Sequence, residues 1–262
     1  MAGLMLSLSG AALGQAETDK TKQAEQSTSS SETKSKAKAE SRDDVPKSDE
    51  SGMLYWIFLT SGKSTEGVDS DEIQNMQTEH LANFKRLADM GKLLTAGPMS
   101  DPENKLRGIV IVRAQNRDDL MEMFKSDPYV QRGYLKIEAN PMRFEYGTVN
   151  TKITPQGLDE FRLIVIEKNG AEPNESQEKP SKVEEVVSAA ADGKELLLGV
   201  SLADSKQDRC ALLIMPKPED EDAFSQQVQD LPGVKSGQFK TRTFPLYMGK
   251  GSLKPQATEP TG

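Results

Sequence analysis

From Met53 onward the chain alternates short apolar runs with amphipathic stretches. "MLYWIFLT" is rich in β-favouring residue types and stops at Ser61-Gly62, which predicts a strand. Ile73, Met76, His80, Phe84 and Leu87 then recur at steps of three and four, the face of an amphipathic helix that stops at Gly91. Ser70 is the candidate cap of that helix, and Asp69 to Glu72 form its acidic first turn. "KLLTAG" and "LRGIVIV" read as two further strands. Asn116 can cap a second helix, "RDDLMEMFKS", which Pro128 is expected to end. A last strand covers roughly 134–146, with Pro141 suggesting an edge or a bulge. The order is β-α-β-β-α-β, a ferredoxin-like arrangement.

The pattern then returns. "FRLIVIEKNG" answers "YWIFLTSG", and a helix carrying Val183, Val186 and Val187 ends at Gly193. "GKELLLG" echoes "GKLLTAG", and "DRCALLIM" echoes "KLRGIVIV" with Arg209 falling at Arg107. Pro232, Val234 and Gly237 answer Pro128, Val130 and Gly133. The common order of these matches points to an internal duplication. A ferredoxin-like sheet leaves one apolar face uncovered, and pressing two such sheets together covers both. The expected fold is therefore α+β, with tandem βαββαβ repeats forming an intramolecular, pseudo-dimeric α+β barrel. The expected divisions are a first βαββαβ domain over 53–147, a degenerate second copy over 160–250, and a flexible tail over 251–262.

The first 52 residues read differently. Residues 1–16, "MAGLMLSLSGAALGQA", are small and apolar and offer a signal-peptidase site, although no Lys or Arg precedes the apolar stretch. Export to the periplasm or the exterior is the expectation, and a cytoplasmic chain with an apolar tail is the alternative. Residues 17–52 hold almost no large apolar residue and read as a disordered linker.

Composition narrows the function classes. Of 262 residues, 41 are Asp or Glu against 33 Lys or Arg, and no cluster combines basic and aromatic residues, which argues against nucleic acid as a partner. No apolar run approaches the ~20 residues of a membrane span. One Cys and one His cannot supply the usual zinc set, and there is no Gly-rich phosphate loop or Gly-x-Ser-x-Gly elbow, so no cofactor and no metal are expected. Cys210, in "CALLIM", reads as a buried thiol.

The candidate chemistry centres on His80, the single histidine. Its helical stripe should turn it toward the sheet, and an imidazole titrates ordinarily near ~6.5, which suits acid–base work. Asp127, before Pro128 in "MFKSDPYVQRGY", could orient it. Both have plainer readings: a buried histidine satisfied by its neighbours, and an aspartate that only shapes a turn. Arg107 could bind a carboxylate through its fork, or serve as an ordinary strand arginine. Ser100 and Asp101 sit at a strand end in "AGPMSDPENKLRG", and Tyr129 and Tyr134 could line a pocket or pack the sheet.

"MLYWIFL", "EHLANFKRLADMGKLLTAGPMSD", "RGIVIV" and "DPYVQRGYLKIEANPMRF" together resemble the YCII-related domain family, part of the dimeric α+β barrel group, across about 53–147. The second copy keeps the element order but has Lys182 where His80 would fall and Leu231 before its proline. The resemblance implies a dyad of His80 with Asp127 lining a pocket. It also implies acid–base chemistry on a small molecule, of the kind seen in dehydrochlorinases and lactone isomerases. The expected partner is thus a small-molecule ligand, anionic if Arg107 holds it. The alternative is a non-catalytic binding or structural module. The chain would be a monomer with pseudo-dimeric halves, or a dimer of such chains.

Overall fold

The computed structural model describes residues 52–152, 156–170, 182–193, 195–203 and 208–256. The expected signal at 1–16, the expected linker apart from Gly52, residues 257–262 of the expected tail and residue 194 within "GKELLLG" lie outside these. The first part of that tail is not a loose end: Leu253–Lys254 form a strand that pairs with Thr148–Val149.

The first half runs β1 (Met53–Ser61), α1 (Ser70–Asp89), β2 (Leu93–Pro98), β3 (Leu106–Ala114), α2 (Arg117–Met123), a one-turn α3 (Pro128–Gln131) and β4 (Leu135–Tyr146). A two-residue β5 (Thr148–Val149) follows. The second half runs β6 (Leu158–Lys168), α4 (Val183–Asp192), β7 (Leu198–Leu202), β8 (Arg209–Pro216), α5 (Glu221–Gln229) and β9 (Phe239–Gly249), then β10 (Leu253–Lys254). Each half is ferredoxin-like, and the eight long strands form one antiparallel sheet in the order β2-β3-β1-β4-β7-β8-β6-β9.

The long strands of the two halves meet twice. β4 pairs with β7, where Met142 faces Leu202 and Phe144 faces Val200. At the other side Met99 bridges Leu246, and the Ser100 amide donates to the Pro245 carbonyl at 2.9 Å, so the sheet nearly closes into a barrel. Gly97 permits this approach: a Cβ there would lie 2.1 Å from the Tyr247 carbonyl oxygen. The β5–β10 ribbon packs Val149 and Leu253 against the barrel interior.

Closure explains why the strands read as unbroken apolar runs. Successive side chains point to opposite faces, and here both faces are covered. Trp56 and Phe58 of β1 enter the barrel with Leu163, Val165, Leu212 and Ile214, whereas Tyr55, Ile57 and Leu59 lie under the helices of the first half. Ile164, Ile166, Ala211 and Leu213 do the same under α4 and α5.

Four local expectations are corrected. Asp69, not Ser70, caps α1: its Oδ1 accepts from the Asp71 amide at 2.8 Å, and Ser70 is already helical. Pro128 does not end α2, which stops at Met123; it opens α3, where its missing N–H and fixed φ suit the first turn. β4 is an interior strand, not an edge. Pro141 pairs with Tyr55 of β1, and its carbonyl accepts from Ala203 just beyond the end of β7, so the lost N–H falls where that pairing stops. Finally, Arg209 answers Leu106 rather than Arg107. A bulge interrupts β1–β3 between Leu59 and Thr60 and β6–β8 between Ile166 and Glu167, setting Thr60 opposite Leu106 and Glu167 opposite Arg209.

That substitution puts charge in the barrel. Arg209, 4% exposed, pairs with Glu138 of the first half and approaches Glu167 at 3.8 Å, while its guanidinium lies 4.4 Å from the Phe58 ring centroid. Arg242 and Lys240 complete the group on Glu167, at 2.6 and 3.6 Å. Burial pushes the Arg209 guanidinium below its ordinary range, and Glu138 opposes that shift.

Candidate functional site

The site is built where α1 meets α3. α1 buries Met76, His80, Asn83 and Leu87 along one stripe, with Ile73 and Phe84 half-buried beside it. His80 is buried as its periodicity requires, but its partners lie on α3 and on α1 itself. The ring centroid is 4.4 Å from that of Phe84 and 5.5 Å from that of Tyr129, the latter edge-on.

Asp127 divides its carboxylate between two tasks. Oδ1 caps α3, accepting from the Tyr129 amide at 3.0 Å and the Val130 amide at 3.4 Å. Oδ2 lies 2.6 Å from His80 Nδ1, with the Asp127 side chain wholly buried. With the carboxylate as acceptor, Nδ1 is the donor of this contact and Nε2 is the ring nitrogen left open. Nε2 has no partner among the described residues and is not among the buried side-chain atoms left without one, while the His80 side chain keeps 10% exposure. The arrangement can therefore accept a proton at Nε2 and stabilise the resulting imidazolium through Asp127.

Tyr129 belongs to this group. Its hydroxyl donates to the Ile73 carbonyl at 3.3 Å, and burial, reinforced by the Asp127 charge, raises its phenol above the ordinary range. Arg132, just past α3, pairs with Glu72 on the first turn of α1. α3 is thus held along α1 at three points, by Asp127, Tyr129 and Arg132.

The other candidates lie elsewhere. Asp101 organises the β2–β3 loop, accepting from the amides of Glu103, Lys105 and Leu106 at 3.0, 3.0 and 2.9 Å. Arg107 donates to Asn104 Oδ1 at 3.2 Å within the same loop, and Ser100 is exposed beside the β2–β9 seam. No hydrogen bond or ion pair joins these three to His80 or Asp127. Tyr134 takes the Lys63 ammonium at 4.5 Å from its ring centroid.

The second half offers no copy of the pair. Lys182, which answers His80, is the N-cap of α4, so the helix there begins where the histidine would stand. Leu231 replaces Asp127 and lines a cavity of about 310 Å³ between α4 and α5. A second, more open cavity of about 500 Å³ lies between α2 and the far side of α3, lined by Met121, Lys125, Val130 and Gln131. Among the described residues no group of three or more His, Cys, Asp or Glu is placed to hold a metal, and no helix is long and apolar enough to cross a membrane.

The sequence reading overlooked Asn83. It is 6% exposed, three residues beyond His80 on the buried stripe, and donates to the Met123 carbonyl at 3.2 Å. A polar residue at a core position of an amphipathic helix was the available signal.

The fold and the site define a barrel of two ferredoxin-like halves within one chain, with a histidine–aspartate contact on the helical side of the first. Residues 53–139, the part that holds both residues, match the model of the YCII-related domain family. No curated protein sequence matches the chain. Among solved structures, a candidate monooxygenase from Lactobacillus acidophilus is 12% identical, with 79% of this chain and 98% of that one covered at a TM-score of 0.43. A candidate monooxygenase from Fusobacterium nucleatum is 10% identical, with coverages of 79% and 99% and a TM-score of 0.44. A heme-binding protein from Thermus thermophilus is 11% identical, with coverages of 76% and 90% and a TM-score of 0.45.

Proposed function

We propose that His80 and Asp127 form an acid–base site for a small organic substrate, of the lyase or isomerase type. His80 Nε2 takes a proton from a carbon next to a carbonyl, and the electron pair moves into the enolate. The intermediate then expels a leaving group, or regains the proton from the imidazolium at another carbon. Asp127 holds the ring in the required tautomer and offsets the charge that forms on it. The observation that carries this reading is the 2.6 Å contact between Nδ1 and a wholly buried carboxylate, with Nε2 left unengaged. The bulge common to both halves supports an internal duplication in which the first half alone carries the pair.

A second reading, a non-catalytic module, is favoured by one observation: neither cavity described above is lined by His80. On that reading the pair fastens α3 to α1 and does no chemistry. The two are separated by following the ring resonances of the single histidine while small keto acids, hydroxy acids and lactones are added. Saturable shifts with some of these compounds, together with turnover that is lost in His80→Gln, support the acid–base site. No response from any of them, in a protein whose His80–Asp127 contact is intact, would overturn it and leave the fastener. Export remains a proposal as well, tested by whether secreted protein begins near Glu17.

A further inference from the structure

Asn83 lies one turn beyond His80 on the buried stripe of α1, and its contacts converge on the segment leading into Asp127. Its amide nitrogen donates to the Met123 carbonyl at 3.2 Å, and Arg86 donates to the same carbonyl at 3.0 Å. Met123 is the last residue of α2, so this carbonyl is one the helix itself leaves without a partner. The Asn83 oxygen accepts from Arg86 at 2.7 and 3.2 Å and from the Ser126 hydroxyl at 3.4 Å. Both ends of the stretch from Met123 to Ser126 are therefore tied to one side chain, immediately before the aspartate.

We infer that Asn83 is the positioning residue of the His80–Asp127 pair, acting with Arg86. The inference rests on the acid–base reading for its catalytic meaning but not for its geometry. α1 supplies the histidine and, through Asn83, fixes the strut that delivers the carboxylate to it. A buried amide is suited to this, because it offers a donor to the carbonyl and an acceptor to the guanidinium and hydroxyl at once. An aliphatic residue of the same size would pack in the stripe but leave the Met123 carbonyl on Arg86 alone. The carboxylate would then lose its fixed distance from Nδ1, and the ring its fixed tautomer.

The test compares the wild type with Asn83→Ala and Arg86→Lys. Arg86→Lys keeps the charge but removes the fork that reaches both Asn83 and Met123. Two readouts report on His80 itself: the nitrogen resonances of its ring at neutral pH, and its rate of carbethoxylation by diethyl pyrocarbonate, unambiguous with one histidine in the chain. Asn83→Ala is expected to add the Nε2–H tautomer to the spectrum and to change the modification rate roughly five- to tenfold, the scale of one lost hydrogen bond. Arg86→Lys is expected to fall between it and the wild type, and it supplies the answer if Asn83→Ala does not fold. A lower melting temperature with tautomer and rate unchanged would overturn the inference, because a merely structural residue would behave so. Failure of the acid–base reading looks different: the variants alter the tautomer, yet wild-type His80 responds to no small carbonyl compound.

Discussion

Replacing Asp127 separates the two tasks of its carboxylate. Asp127→Ala removes the cap of α3, which accepts from two amides, and such a loss typically costs about 1 kcal/mol. It also strips His80 Nδ1 of its partner inside the protein, where an unsatisfied polar group costs roughly 1–3 kcal/mol. Together these give a loss of about 3 kcal/mol. Asp127→Asn keeps an oxygen for the cap and turns an NH2 toward Nδ1, which the ring can meet as an acceptor by moving its proton to Nε2. Its expected cost is only about 1 kcal/mol, the difference between a charge-assisted and a neutral hydrogen bond. Urea unfolding followed through Trp56, the single tryptophan and wholly buried in the barrel, measures both variants against the wild type. The functional prediction runs the other way: Asp127→Asn, though the more stable variant, presents Nε2–H and cannot act as the base. The reasoning fails if Asn is as damaging as Ala, since the cap would then not be a separable part. It fails equally if Ala costs less than about half a kcal/mol, since the buried contact would then contribute nothing.

Three further outcomes follow from the fold. Gly97→Ala drives a methyl group toward the Tyr247 carbonyl and should break the β2–β9 closure, seen as rapid amide exchange at Met99 and Ser100 while β6 stays protected. Arg209→Ala takes from Glu138 its buried partner, while Glu167 keeps Arg242 and Lys240, and should cost roughly 1–3 kcal/mol in the same urea assay; a cost near zero would mean the buried group is not a clasp between the halves. Burial pushes the Cys210 thiol up to about 11, so at pH 8 it is protonated and should react with a thiol reagent only as the chain unfolds; prompt reaction of native protein would contradict the packing around it.

The barrel was legible because its logic is periodic. The stripe on α1 and the apolar runs of β1, β3, β6 and β8 carry period and length in their own residues, and two ferredoxin-like halves have few ways to cover their open faces. What escaped was local and steric. Ser70 and Asp69 are both good caps, and only the backbone decides which residue stands just outside the helix. Asp127-Pro128 suits the end of one helix and the start of the next equally well, so the sequence alone could not show that α2 stops four residues earlier. Arg209 matches Arg107 by residue type, and only the strand pairing shows that it stands one position earlier, opposite Glu167 as Leu106 stands opposite Thr60. The burial of His80 follows from its place on the apolar stripe of α1, and the structure adds its contact with Asp127. Ser100, Asp101 and Arg107 offer suitable polar groups at a strand end, but the loop uses Asp101 for its own amides and Arg107 for Asn104. Asn83 is a single polar residue in an apolar stripe, which reads as a flaw in the pattern until its partners are known.

The most direct measurement is the ring-nitrogen spectrum of His80 at neutral pH, with Asp127→Asn as the reference. The account predicts a proton on Nδ1 and an open lone pair on Nε2 in the wild type, reversed in the variant. A wild-type ring protonated on Nε2, and unchanged by the substitution, would contradict it.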